Sequence, residues 1–283
     1  MIDGLDHVVV AVRELDPAAE GYRKLFGREP IFLAGGGARR AWFQFPNTAL
    51  ELVAPEGEGR AGDRARAWLA AGEGVCALAF RAPELEATAR LMSRRGLGAT
   101  EPSAARQVDA HGREHGLRDC RLDKATTGGL DMVLVGRRDP IHGPDAHPEA
   151  PISALDHVVV TTTNPDRALA IYGAKLGLDL RLDRENPGWN ARQMFFRCGE
   201  AVIEIGARIG APASDQPDRF GGLAWRVADP TAAQARIAKA GFDVSEVRTG
   251  RKPGTQVFTV RNAPGGVPTL MLSHEPAPTR EPA

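Results

Sequence analysis

Cysteine is scarce in this chain: there are three, Cys76, Cys120 and Cys198, far apart and odd in number. That argues against a disulfide framework and fits a reducing compartment. Aromatic residues are few, at 6% of 283, and net charge is absent, with Lys+Arg and Asp+Glu at 36 each. Without a basic stripe interleaved with aromatics, nucleic acid is not expected as a partner. No apolar run approaches the ~18 residues that a spanning helix needs, and the first residues lack the charged and apolar regions of a signal peptide. The expectation is a soluble, cytoplasmic protein. With 42% hydrophobic content the chain is long enough for two cores.

What is present is a repeat. Leu5-Asp6-His7-Val8-Val9-Val10-Ala11-Val12 returns 150 residues on as Leu155-Asp156-His157-Val158-Val159-Val160-Thr161-Thr162. Each copy is a β-branched run of strand length bounded by polar turn signals. About 45 residues after each histidine, one glutamate sits inside an apolar strand: Glu51 in Thr48–Val53 and Glu204 in Ala201–Gly206. An unpaired carboxylate among apolar neighbours costs several kcal/mol or shifts its pKa, so each should face a cavity, a metal or a partner such as the histidine, at ~2–7 kcal/mol. Side chains alternate along strands, so adjacent first and fourth strands would project His7 and Glu51 from one face.

Between these strands Asp16-Pro17 opens a helix that Gly27 stops, and short strands follow at 30–34, 41–45 and 49–53. A second, weaker unit comes next: a strand at 75–81, a helix at 83–96, and strand-like pieces at 97–101, 116–123 and 130–136, with 106–115 read as a loop or irregular edge. The second half repeats the plan: strand 155–162, a helix from Pro165 to Gly177, strands at 178–182, 193–197 and 201–205, strand 222–227, helix 230–241, and closing strands at 257–260 and 269–273.

Four successive β-α-β-β-β units, with histidine on the first strand and glutamate on the fourth of two of them, resemble the vicinal oxygen chelate superfamily. That group includes glyoxalase I, extradiol dioxygenases, methylmalonyl-CoA epimerase and the bleomycin resistance proteins. The resemblance covers nearly the whole chain. It implies an α+β fold of four tandem βαβββ modules forming two glyoxalase-like domains with cupped mixed sheets. These would be residues 1–136 and 155–274, with 137–154 as linker and 275–283 as a disordered tail. In family enzymes a divalent metal at the base of each open cup is bound from the first and fourth strands of both units. His7 and Glu51 match two of those positions, and His157 and Glu204 match them in the second domain. Carboxylate and imidazole suit Fe, Mn, Ni or Zn in an open site.

The partner modules are less complete. Cys76 and Asp131 lie near the remaining positions of the first domain, and Gly222 or Leu223 with Thr269 or Leu270 near those of the second. An extradiol-type iron triad is not completed there. The metal candidates are therefore His7, Glu51, Asp131, His157 and Glu204. Two readings stay open. One is metal-assisted lyase or isomerase chemistry on a small oxygenated metabolite. The other is a metal-free binding or sequestering protein of the bleomycin-resistance type, with the His–Glu pairs structural. Under either, the partner is a small molecule, and a homodimer arises if modules pair between chains. Cys76 also reads as a small buried hydrophobe, and His111 and His115 as loop residues near a cup mouth. His142, His147 and His274 read as exposed, Trp189 as a turn residue able to gate a cavity, and Trp42, Phe43, Phe45, Met194, Phe195 and Phe196 as core or pocket wall.

Overall fold

The computed structural model describes residues 1–137, 141, 143, 152–251 and 253–274. Most of the expected linker, the tail 275–283, His142 and His147 lie outside the described residues. Among the described residues the order is β1 (Gly4–Ala11), α1 (Leu15–Phe26), β2 (Ile31–Gly35), β3 (Ala38–Gln44), β4 (Ala49–Pro55), α2 (Arg60–Leu69), β5 (Gly74–Arg81), α3 (Leu85–Arg94), β6 (Ser103–Asp109), β7 (Glu114–Arg121) and β8 (Asp131–Arg137). The second half runs β9 (Ile152–Thr162), α4 (Pro165–Ala168), β10 (Asp179–Asn186), β11 (Ala191–Cys198), β12 (Ala201–Arg208), β13 (Arg219–Val227), α5 (Pro230–Lys239), β14 (Arg248–Thr249), β15 (Thr255–Val260) and β16 (Thr269–His274). The fold is α+β, built of two eight-stranded cupped sheets. No described helix is long and apolar enough to cross a membrane.

In each sheet the modules pair within the chain. β1 runs parallel to β4 and antiparallel to β5, and β5 runs parallel to β8. β9 stands in the same relation to β12 and β13, and β13 to β16. The first sheet goes further than an open cup. A short pairing of Leu33–Ala34 with Val108–Asp109 joins β2 to β6 and closes it into a barrel. The second sheet ends on β10 and β14 and stays open.

Strand alternation divides the cores. Val8 and Val10 face out into one large apolar cluster with the helices, and that cluster runs through both halves. Val9 and Ala11 face in, where Ala65 and Leu69 of α2 pack on them with Ala77. The halves meet on aromatic rings: Trp225 of β13 lies 4.7 Å from both Phe26 of α1 and Phe45, centroid to centroid. Asn47 seals the junction, donating to the Leu155 carbonyl at 2.7 Å and accepting from the Leu155 N–H.

Four local expectations need correction. The segment 97–101 forms no strand. Gly96 turns left-handed after α3, the Leu97 N–H returns to the Met92 carbonyl, and Leu97 is buried against the helix, leaving one bridge from Ala99 to Leu122. The segment 106–115 is mostly strand rather than loop, as β6 and β7 pair up to Val108 and Glu114 around a tight turn. The helix expected to run to Gly177 widens after Ala168 into a π-helix, Leu169–Lys175, which seats Tyr172 against Phe196 at 5.7 Å. Finally, α2 was not anticipated. It carries three arginines and a glycine in its first turn, and its buried residues are only Gly62, Ala65 and Leu69, which gives little periodic signal.

Candidate functional site

His7 and Glu51 do project from one face, because the parallel register sets His7 opposite Ala49 and Glu51 opposite Val9. The imidazole Nε2 lies 2.9 Å from a Glu51 oxygen, and Nδ1 lies 2.6 Å from Asp6 Oδ1. The other Glu51 oxygen is 2.7 Å from Nε of Arg40, which reaches in from β3. His7, Glu51 and Arg40 are each under one-tenth exposed. Burial is the largest influence on His7 and works to lower its pKa. The hydrogen bonds and charges of Asp6 and Glu51 outweigh it, and the pKa ends above the ordinary value. The result is a buried row of Asp6, His7, Glu51 and Arg40 in which both ring nitrogens face a carboxylate, the arrangement that favours the imidazolium.

The second half rebuilds the row with weaker members. His157 Nδ1 is 2.8 Å from Asp156, and Nε2 is 3.4 Å from Glu204. Where Arg40 stands in β3, β11 offers Gln193, whose amide donates to Glu204 at 2.7 Å. Asp156 also accepts from Arg226 at 2.8 Å and His274 at 3.0 Å. Thus His274, though exposed, is tied down. Burial alone would raise the Asp156 pKa, but these three partners hold it well below the carboxylate range. A depressed carboxylate contributes stability that is full above the unfolded value and is lost as pH falls through the folded one. The unfolding free-energy gap between the native chain and Asp156→Asn is therefore expected to shrink as pH drops below about 4. Denaturant melts along a pH series check this, and a gap that stays flat with pH refutes it.

The row borders a cavity of about 340 Å³ inside the first barrel. β6 and α2 line its far side. The expected partner-module ligands do not meet there. Aligned on their helix starts, Leu15 with Leu85, the counterpart of His7 is Ala77, and the register then makes Val133 the counterpart of Glu51. Both line the cavity, and neither can ligate. Cys76 falls at a bulge between the Val9–Ala77 and Val10–Val75 pairs, where its thiol donates to the Val9 carbonyl. Burial pushes that thiol well above its usual pKa.

Asp131 is placed elsewhere. It accepts from Trp68 Nε1 at 3.1 Å, Arg121 at 2.9 Å and Lys124 at 3.0 Å, on an adjoining groove. In the second half the counterparts are Gly222 and Leu270. Among the described residues no three His, Cys, Asp or Glu side chains gather to hold a metal ion. The donor set therefore does not fit the chelated metal that the resemblance implied: two ligands are present in each sheet, each already satisfied, opposite walls of alanine, valine, glycine and leucine.

Other candidates also settle. His115 pairs with Asp109 at 2.9 Å on β7, His111 sits in the turn before it, and neither lines the cavity. Phe43, Phe45, Met194 and Phe196 are core. Trp42 packs with Ile141 and lies 5.0 Å from the His7 ring, centroid to centroid. Trp189 lies exposed in a turn beneath Arg251 at 4.3 Å. The sequence reading missed Arg40 and the α2 residues Arg60, Arg64 and Trp68. For Arg40 a signal existed, since it keeps the alternation that buries Trp42 two residues on.

Family models match both halves. Residues 5–139 match the glyoxalase-like domain, and residues 154–268 match the glyoxalase/bleomycin resistance protein/dioxygenase superfamily. The chain belongs to the vicinal oxygen chelate superfamily. It is a tandem glyoxalase-like protein, and solved structures share its fold at low identity. A triple mutant of 4-hydroxymandelate synthase from Streptomyces coelicolor is similar at TM-score 0.69 and 14% identity, covering 98% of this chain and 95% of that one. A hypothetical protein from Staphylococcus aureus is similar at TM-score 0.64 and 8% identity, covering 95% and 98%. No curated protein matches the chain in sequence at a significant level.

Proposed function

We propose that this glyoxalase-like protein binds a small oxygenated molecule in its first barrel without a metal, the Asp6–His7–Glu51–Arg40 row forming one polar wall of the site. The observation that carries the reading is the pair Ala77 and Val133 at the positions where a chelate would need donors. The Arg40 guanidinium supplies Glu51 with the positive charge that an ion would otherwise bring. A cavity of about 340 Å³ with apolar walls and a few convergent polar groups suits a small ligand, since such sites run to roughly 300–1,000 Å³. On this reading the first barrel binds its ligand rather than carrying out metal-assisted lyase or isomerase chemistry.

The test is elemental analysis of protein prepared without chelator and reloaded with Fe(II), Mn, Ni and Zn, beside a His7→Ala/Glu51→Ala variant. Well under one metal per chain is expected in both. Stoichiometric metal that disappears in the variant would return the site to metal chemistry.

A further inference from the structure

Helix α2 brings a cationic stripe to the mouth of the first cavity. Arg60, Arg64 and Trp68 stand four residues apart, so they share one helix face, and all three line both the cavity and the adjoining groove. The other charged side chains of the lining have polar partners of their own. Arg40 is held by Glu51, Arg106 pairs with Glu114 at 3.6 Å, and Asp119 accepts from Ser103 at 3.0 Å. Arg64 makes no hydrogen bond or ion pair among the described residues, and its Nε is buried without a partner. Burial lowers its pKa first. The Arg121 and Arg60 charges add to that, with Asp119 and Asp131 only partly opposing.

Independently, β6 presents Gln107 to the same space. It is 6% exposed, lines the cavity, and carries a buried amide oxygen with no partner. A buried polar group left unmatched costs free energy, as does a half-buried guanidinium without a direct ion-pair partner.

We propose that the occupant of this cavity is a small organic anion, its carboxylate or phosphate group taken by Arg64 and Arg60 and a hydroxyl or amine on the same molecule by Gln107. The proposal rests on the metal-independent binding reading and gives that ligand its charge. Guanidinium forks match carboxylate and phosphate oxygens. The aliphatic wall of Val9, Val53, Ala77 and Val133 receives the body of the molecule.

The experiment is thermal melting and titration calorimetry of the full chain at constant ionic strength with inorganic phosphate, benzoate and uncharged benzamide. Native protein is compared with Arg64→Gln and Arg64→Lys. Expected is a rise in Tm with one of the two anions, which also distinguishes phosphate from carboxylate. Binding should weaken roughly tenfold or more in Arg64→Gln, with partial recovery in Arg64→Lys. No shift with either anion, or equal shifts in native protein and Arg64→Gln, overturns the proposal. Benzamide stabilising all three proteins alike while the anions do nothing leaves the cavity a binding site and removes only the anion. Stoichiometric metal on His7 and Glu51 would remove the binding reading itself.

Discussion

Glu51→Ala is expected to lower the free energy of unfolding by about 3–5 kcal/mol, because it strands two buried cations at once. The Glu51 carboxylate lies between His7 at 2.9 Å and Arg40 at 2.7 Å, all three under one-tenth exposed. With the carboxylate gone, Arg40 stays charged inside the barrel, and His7 keeps its ion pair with Asp6. A charge-removing replacement of Arg40, such as Arg40→Met, should cost less in the Glu51→Ala background than in the native chain. A double-mutant cycle by urea melts would read that coupling at roughly 0.5–3 kcal/mol. Part of the effect titrates. The raised His7 pKa means its contribution is complete below the unfolded value near pH 6.5 and is lost as pH rises through the folded one. A loss below about 1 kcal/mol, the range of exposed ion pairs, would show that water reaches the row.

Trp225→Ala is the second large effect, at about 3–5 kcal/mol for an emptied aromatic site. Trp225 is 1% exposed and wedged between Phe26 and Phe45 of the other half. The cavity would open at the junction of the halves, so scanning calorimetry should show one transition moving to lower temperature. Two transitions, with only the later half of the chain affected, would mean that the halves fold separately. Trp225→Phe should cost clearly less. It keeps much of the ring contact and removes an indole N–H that is buried without a partner.

The repeat made the architecture legible because it carries both signals at once. Leu5–Val12 and Leu155–Thr162 are strands by composition, and their histidines, with Glu51 and Glu204, are polar residues that burial must explain. That reasoning finds the pair and its shared face. It does not fix the register of β5, where Ala77 pairs with Val9 and Cys76 falls in the bulge beside it, out of the ligand position. Nor could composition reveal α2. Its three arginines and few large apolar residues leave no helical apolar period to read. Gln107 was hidden for a related reason, since the polar stretch 103–109 alternates between solvent and a cavity lined in part by charge. Arginine and glutamine on such a strand carry no apolar period to read.

Barrel closure has a further consequence. The seam between β2 and β6 leaves the first sheet with no unpaired strand, so it offers no template for another chain to extend. The second sheet repeats the module plan without the seam and must guard its rims by other means. β14 is only two residues long, a rim too short to extend far. β10 is eight residues long and shows Leu180 and Leu182 to solvent. Along it Arg181 separates those leucines, Asp183, Arg184 and Glu185 follow them, and Arg192 grips Asp183 with two hydrogen bonds. The first sheet thus covers its edges by closure, and the second limits its edges by a two-residue rim strand on one side and interposed charge on the other.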